Sequence, residues 1–325
     1  MRIVPVVHSG RLMGLLGAVA LGTVFLVCVL TLPWTMGRDA NGARRYEAAD
    51  LSQILLPPSW AAHAPDEKTR RDEAAVTGHA TRFFFGSDRL GRDLFARCLA
   101  GGGISLGIGL GAAMLAVLIG TVWGTVAGYF GGRTDAVLMR IVDIIYGLPT
   151  ILLVVLLAVA SDGLIDRSGR DLAPGVRGMI GLVTLLLAIS GVSWLTMARV
   201  IRGQVLSLRQ QPFMEACRAT GVPLHRQFLF HLLPNLSGPI IVYATLTVPA
   251  AILAESFLSF LGIGVREPLP SWGNLAAAGL SELNTVRVRW WLLFWPCLFI
   301  GITLLALNFV GESLRQVIDP RRRVA

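Results

Sequence analysis

The sequence predicts an all-α protein that crosses a membrane about six times. Of its 325 residues, 54% are hydrophobic and only 15% are charged, and the mean hydropathy is +0.64. Such a composition is too apolar for an ordinary soluble enzyme. Six stretches reach the length of about 20 helical residues that a hydrocarbon core requires. They lie at roughly 11–33, 103–128, 137–160, 178–198, 237–261 and 290–311.

The first stretch is predicted to be a retained anchor helix within residues 1–33. Its apolar run exceeds about 20 residues, whereas a signal peptide has about 7 to 15, and no small-x-small cleavage site follows before Pro33. Residues 34–102 then form a predicted extracytoplasmic loop. Because it has paired prolines and no sustained periodicity as far as Thr81, we expect the first part of this loop to be only partly ordered.

The arginines predict the orientation of the spans. With a cytoplasmic amino terminus, 13 arginines fall on cytoplasmic segments and 6 fall in the two short outer loops, and the long loop is discounted. The cytoplasmic set is Arg2, Arg11, Arg133, Arg140, Arg199, Arg202, Arg209, Arg218, Arg226, Arg315, Arg321, Arg322 and Arg323, and the outer set is Arg167, Arg170, Arg177, Arg266, Arg287 and Arg289. Both termini are therefore predicted to be cytoplasmic. The same asymmetry accounts for the net charge of +9 without nucleic-acid binding.

Residues 103–325 form the predicted core of five helices. Pro149 and Pro249 fall inside the third and fifth spans, where proline is expected to bend a helix. Tryptophans at the start of the last span predict an aromatic belt; they are Trp290, Trp291 and Trp295. Glycines at four-residue spacing in and after the second span predict close helix packing; they are Gly103, Gly107, Gly111, Gly120, Gly124, Gly128 and Gly132.

Two carboxylates at membrane depth are candidates for function, because ionisable groups are costly there. Asp143 follows Arg140 by three residues on one helical face, so a local ion pair is the expected arrangement. Glu255 lies near the outer end of the fifth span with Ser259 one helical turn away. Either these two side chains line a translocation path or they form hydrogen bonds to a neighbouring helix.

A polar segment, Gln210 to Asn235, interrupts the apolar chain within a predicted cytoplasmic loop, residues 199–236, and is predicted to contain a short helix that would suit docking. Pro212 suits the first turn of a helix, Glu215 lies early enough to favour the helix dipole, and Gly221 is expected to end the helix.

The docking helix is also predicted to present a surface that a partner can approach. Its small residues, Ala216, Cys217 and Ala219, would let a partner's backbone come close. Arg218 and Arg226 offer positive charge at the rim.

The spacing from Glu215-Ala216-Cys217 through Gly221 to His231 and Pro234 resembles the cytoplasmic "EAA" loop of membrane subunits of ABC importers. Cys217 departs from the usual Ala. His231 stands where the wider family prefers Ile, but His is common in the peptide branch.

Further segments resemble the C-type permeases of dipeptide, oligopeptide and nickel importers. Asp88-Arg89-Leu90-Gly91-Arg92-Asp93 is similar to their "G-T-D-x-L-G-R-D" element, with Ser87 in place of Thr. Residues 128–143, 198–208, 255–273 and 308–320 also match this branch, so the resemblance covers about 83–322.

This resemblance implies a type I importer permease with the MetI-like fold in the inner, or plasma, membrane of a bacterium. The chain would form half of a translocation path and couple to the ATPase through the EAA loop. The implied partners are a B-type permease, two ATPase subunits or domains that hold ATP and magnesium, and an extracytoplasmic solute-binding protein. Di- or oligopeptides are the expected solutes, and nickel or another small solute is the alternative.

No catalytic site or cofactor is expected in this chain itself. Lys68 is the only lysine of the chain, and Glu67 stands directly before it where the phosphate-binding loop requires glycine, which excludes such a loop. The four cysteines show no metal-ligand spacing. Gly103-Ile104-Ser105-Leu106-Gly107 matches the hydrolase pattern G-x-S-x-G, but a membrane helix is the wrong context for it. This match is the only feature that favours a membrane-embedded enzyme. The other alternative, an ion-driven transporter, would predict an inverted repeat, which is not evident in the sequence.

Overall fold

The computed structural model describes residues 6–39, 42–76, 82–167, 174–283 and 288–318, and the regular elements in these ranges are helical. In chain order the α-helices are α1 (Val6–Thr35), α2 (Pro65–Val76), α3 (Leu94–Phe130), α4 (Gly132–Tyr146), α5 (Thr150–Arg167), α6 (Pro174–Arg209), α7 (Pro212–Ala219), α8 (Leu224–Arg226), α9 (Leu233–Phe260), α10 (Trp272–Leu280) and α11 (Trp290–Ile318). A π-helical segment, Gln227–Leu232, joins α8 to α9. Several arginines of the predicted charge asymmetry lie outside the described residues, namely Arg2, Arg170, Arg287 and Arg321 to Arg323.

Five helices in the described ranges are long and apolar enough to cross a membrane, and a bent pair brings the number to six if it counts as one span. The predicted all-α membrane protein is therefore confirmed. The second span begins at Leu94, earlier than the predicted residue 103, because the Asp93 side chain caps α3 by accepting a hydrogen bond from Phe95 N at 3.0 Å. The G-x-S-x-G match accordingly lies inside a continuous helix.

The third span is the bent pair, α4 and α5, which meet at an angle of 87°. Pro149 lies in the break between them, so the predicted bend is a full interruption of the helix. Pro249, in contrast, lies inside the continuous helix α9.

The centre of the bundle is the contact between α3 and α6. A Cβ atom on Gly124 would lie 2.4 Å from the Ala198 carbonyl oxygen, and one on Gly128 would lie 2.9 Å from that of Arg202. These glycines let the two backbones touch, as predicted from their spacing. Gly107 and Gly132 share the spacing, but a Cβ on either would meet nothing within 4 Å among the described residues.

Asp143 joins α4 to α6, and the predicted local pair with Arg140 is wrong. Its Oδ1 accepts a hydrogen bond at 2.8 Å from Nη2 of Arg199, whose guanidinium also lies 4.0 Å from the centre of the Tyr146 ring. A second bridge of the same kind links Asp135 to Arg202 through two hydrogen bonds. Asp143 pairs with Arg199 rather than with Arg140 because α6 packs beside α4 and places the guanidinium groups of Arg199 and Arg202 next to it.

The described part of the segment between α1 and α3 has helical structure and tertiary contacts. It contains α2 and packs on one end of the bundle, where the Phe85 ring stacks on Trp295 with centroids 3.9 Å apart. Trp291 is buried against the same segment, and a Cβ on Gly86 would lie 2.6 Å from its ring. Trp291 and Trp295 therefore hold this segment in place, beyond the predicted aromatic belt.

We expect Gly124→Val to destabilise the bundle, because the new side chain would overlap a backbone carbonyl that cannot rotate away. Overpacking of this kind costs about 1–3 kcal/mol. Thermal unfolding of the purified chain in detergent would show a lower melting temperature. Gly107→Val changes helix propensity equally but enters open space, so it is the matched control. Equal melting temperatures for the two variants would contradict the prediction.

Candidate functional site

The docking loop predicted at residues 199–236 is built around the short helix α7. Gln211 caps this helix in extended conformation and Pro212 occupies its first turn, as predicted. Met214 is fully buried, whereas Glu215 and Ala216 are exposed. The helix therefore attaches by one face and leaves the opposite face open.

Gly221 ends α7 with a Schellman motif. Its backbone has φ +67°, and its N–H donates to the Arg218 carbonyl at 3.1 Å. The N–H of Val222 donates to the Cys217 carbonyl at 3.0 Å, which completes the pattern. Glycine suits this position because the left-handed conformation is costly for a residue with a Cβ.

Cys217 lies on the attached face, so its predicted contact with a partner's backbone is wrong. It is buried within the chain, three residues after the buried Met214 on the same helical face. Arg218 is exposed, as predicted for a rim residue, and its Nη2 donates to the Arg209 carbonyl at 2.8 Å. The open surface thus consists of acidic, small and basic side chains without the thiol.

A buried amide fixes the second half of the loop. Gln227 Nε2 donates to the Val222 carbonyl at 2.7 Å, and Gln227 Oε1 accepts from the Tyr129 hydroxyl at 2.6 Å. The Tyr129 ring also packs on Phe228, with centroids 5.0 Å apart. Sequence reasoning missed Gln227 and Tyr129; the available signal was an amide directly before the apolar run Phe228-Leu229-Phe230.

His231 and Pro234 lie where the π-helical segment passes into α9. His231 is half-buried, and its carbonyl accepts from Asn235 Nδ2 at 2.6 Å. Pro234 is exposed in the first turn of α9. A π-helical turn of this kind is rare and is often found at functional sites.

Met214 inserts into an apolar core that we call the loop-end cluster. Its buried members come from three helices and the π-helical segment, and they are Met197, Ile201, Val205, Met214, Leu232 and Leu236. Because α7 shares this cluster with α6 and α9, a displacement of α7 must move or repack side chains on both spans.

Glu255 and Ser259 lie one turn apart on α9, in the packed interior. Glu255 is 0% exposed, and its Oε1 accepts from Ser259 Oγ at 2.8 Å. Ser105 on α3 and Ser271 before α10 also lie near this carboxyl group. In this conformation Glu255 is therefore enclosed by polar side chains from α9, from α3 and from the start of α10.

The family motif at Asp88, Gly91, Arg92 and Asp93 lies at the opposite end of α3 from the loop, which we call the motif end. Oδ1 of Asp88 accepts from the N–H groups of Leu90 and Arg92, both at 2.9 Å. Gly91 has φ +71°, and a Cβ there would lie 1.8 Å from the Asp50 carbonyl oxygen. The motif thus forms a tight turn that only glycine allows at this position.

Charges of the motif also reach across the fold. Oδ2 of Asp88 accepts from Arg92 Nε at 2.7 Å and from Arg97 Nη1 at 2.9 Å. Both arginines then donate to Glu267, which follows α9. Burial by itself would lower the pKa of Arg92, but its hydrogen bonds to Glu267 and the charge of Asp88 outweigh this effect and raise the pKa.

Asp93 is the capping member of the motif. Burial raises the pKa of its carboxyl group to about 6, although hydrogen bonds from the backbone of Phe95 and Ala96 act in the opposite direction. Among the residues that the structure describes, no group of three or more His, Cys, Asp or Glu side chains is arranged to hold a metal ion.

Comparison with known proteins gives one consistent family. Residues 116–324 match the family described as binding-protein-dependent transport system inner membrane component. The chain is 44% identical to a dipeptide transport system permease protein of Bacillus subtilis over 74% of this chain and 69% of that protein. It is 40% identical to an oligopeptide transport system permease protein of Escherichia coli over 83% of each. It is 31% identical to a di/tripeptide transport system permease protein of Pseudomonas aeruginosa over 96% and 89%.

We expect Tyr129→Phe to loosen the loop without unfolding the bundle. The substitution leaves Gln227 Oε1 buried without its donor, and an unsatisfied buried group costs about 1–3 kcal/mol. Amide hydrogen exchange across residues 222–232 should accelerate by about tenfold. Tyr243→Phe is the control, because the hydroxyl of Tyr243 forms no hydrogen bond among the described residues. Unchanged exchange in Tyr129→Phe would contradict this role for the hydroxyl.

Proposed function

Because this chain belongs to the family of binding-protein-dependent transport system inner membrane components, we propose that it is a permease subunit of an ATP-driven importer of di- or oligopeptides. Its similarity to peptide permeases over most of its length carries this proposal. In this assignment the chain forms half of the translocation path. A second, B-type permease, two ATPase subunits or domains, and an extracytoplasmic solute-binding protein complete the transporter.

ATP binding and hydrolysis belong to the partner ATPases in this proposal. The only lysine of the chain, Lys68, lies in α2 after Pro65-Asp66-Glu67, which is unlike a glycine-rich phosphate loop. The chain therefore contributes no covalent chemistry, and its task is to convert motion of the ATPases into motion of the spans.

The exposed face of α7 is the proposed ATPase contact. Glu215, Ala216 and Arg218 are accessible there, while Met214 connects the same helix to the loop-end cluster. A push on α7 is then transmitted through Ile201 of α6 and Leu236 of α9. Inward-open and outward-open states would be populated according to which one the nucleotide-bound ATPase contacts more strongly.

The proposed topology follows from the placement of this contact. With the loop on the cytoplasmic side of a bacterial plasma membrane, both termini are cytoplasmic and the motif end is extracytoplasmic. This orientation agrees with the excess of arginines in the segments on the loop side.

Reconstitution of the assembled transporter in proteoliposomes tests this function. We expect uptake of a labelled tripeptide that requires ATP, the ATPases and the binding protein. Uptake that persists without the ATPases and follows an ion gradient would instead identify an ion-driven carrier. ATP-dependent uptake of nickel but of no peptide would support the assignment as an ATP-driven importer and reject peptides as its solutes.

A charge reversal at the loop tests the ATPase contact. Glu215→Lys should lower ATP-driven uptake at least tenfold and reduce ATPase retention during purification, because it removes the acidic group of the open face. Glu312→Lys, an exposed substitution of the same charge near the end of α11, is the control. Normal uptake and normal ATPase retention in Glu215→Lys would contradict the docking role.

Bulk at the end of α7 gives a separate test. A Cβ on Gly221 meets nothing within 4 Å in this chain, so Gly221→Trp should act against the partner surface and by straining the turn at φ +67°. We expect loss of coupling with the spans still inserted. Gly221→Asn tolerates the same backbone conformation with less bulk, and it should retain most of the uptake. Equal uptake by both variants and the parent chain would count against this interpretation.

A further inference from the structure

Two buried arginines at the motif end form an anion site that the chain fills with its own carboxylate. Arg92 and Arg97 are 10% and 2% exposed in their side chains, whereas the side chain of Glu267 is 56% exposed. The arginines are therefore fixed in the protein, and the acid approaches them from the solvent side.

The two acids of this group are held to different degrees. Asp88 accepts four hydrogen bonds, two on each oxygen, and two of the four come from backbone N–H groups of its own turn. This number is the full capacity of a carboxylate. Asp88 is thus a permanent part of the site, and it neutralises one of the two guanidinium charges.

Glu267 occupies the rest of the site. Its Oε1 accepts from Arg92 Nη2 and from Arg97 Nη2, both at 3.0 Å, and its Oε2 accepts from Arg92 Nη1 at 3.3 Å. If Glu267 withdrew, one positive charge and three N–H donors would remain in a fixed, largely buried arrangement. Fixed guanidinium groups of this kind are suited to binding a carboxylate through paired hydrogen bonds.

Glu267 also lines a cavity beside this site, and Arg92 and Arg97 are not part of its walls. Its volume is about 290 Å³, and its walls include two further arginines besides apolar side chains: Arg266, Glu267 and Leu269 from the segment after α9, and Arg177, Leu182 and Leu185 from α6. This size is close to the lower end of the range for small-molecule pockets, about 300 Å³. Once Glu267 has withdrawn, an anionic ligand with small apolar side chains could rest in the cavity and reach Arg92 and Arg97 with its carboxylate.

We propose that Arg92 and Arg97 form a subsite for the carboxylate of the transported peptide at the extracytoplasmic mouth, and that Glu267 occupies this subsite when no peptide is present. This inference rests on the proposed function for the identity of the ligand. Exchange of one carboxylate for another would remove the ion pairs that join the segment after α9 to the start of α3, while the hydrogen bonds from Asn274 to Val265 and Leu269 would remain. Peptide binding would then be coupled to the loss of this link.

The test measures binding of labelled tri-alanine to the assembled transporter in nanodiscs without the binding protein. Glu267→Gln keeps the size of the side chain but removes the competing charge, so tri-alanine should bind at least tenfold more tightly than to the parent transporter. The carboxyl-terminal amide of tri-alanine should show no gain. Because the expected effect is a gain of affinity, a misfolded variant cannot imitate it.

Glu282→Gln is the matched control. The Glu282 carboxylate also pairs with two arginines at the same end, Arg89 and Arg289, but it does not line the cavity. No gain for tri-alanine with Glu267→Gln, an equal gain for the amide, or an equal gain with Glu282→Gln would each overturn the proposal. A Glu267→Gln transporter that binds the solute-binding protein more tightly but tri-alanine no more tightly would also overturn the proposal, because Arg92 and Arg97 would then serve protein docking.

Peptide uptake by the parent transporter with its binding protein is followed in parallel. Absence of peptide uptake would reject the proposed function itself. Peptide uptake combined with unchanged binding in Glu267→Gln would reject only the carboxylate subsite.

Discussion

The close approach of α3 and α6 is the constraint on which the rest of the molecule depends. Gly124 and Gly128 let the α6 backbone touch α3, so the end of α6 has a fixed position relative to Tyr129, one residue further along α3. The docking helix follows α6 directly, and the buried Gln227 ties the loop back to Tyr129. The loop is therefore attached to this rigid pair of helices twice, through α6 at its start and through the hydrogen bond between Gln227 and Tyr129 of α3.

Sequence reasoning predicted the features that hydropathy and local backbone chemistry control. The spans follow from apolar length, and the limits of α7 follow from Pro212 and Gly221, because proline and glycine act on the backbone where they stand. It failed where a partner is distant in sequence. A spacing rule for one helix assigned Asp143 to Arg140, but the packing of α4 on α6 supplies Arg199, 56 positions away.

The site residues divide in the same way. The motif around Asp88 could be recognised as a pattern, but nothing in the sequence indicated that Glu267 would complete its charges from 175 positions away. Likewise, Cys217 looked like a small surface residue because its neighbours are small, yet the position of Met214 determines which face of α7 is buried. Such assignments require knowledge of which helices are adjacent, and a single sequence does not provide it.

The right angle between α4 and α5 has a consequence for the bilayer itself. Helix α5 has 18 residues and rises by about 27 Å, which is close to the thickness of a hydrocarbon core of about 30 Å. With α5 along the bilayer normal, α4 runs nearly parallel to the plane of the membrane, because the two helices meet at 87°. The pair then crosses the acyl chains with one helix and lies along the headgroups with the other.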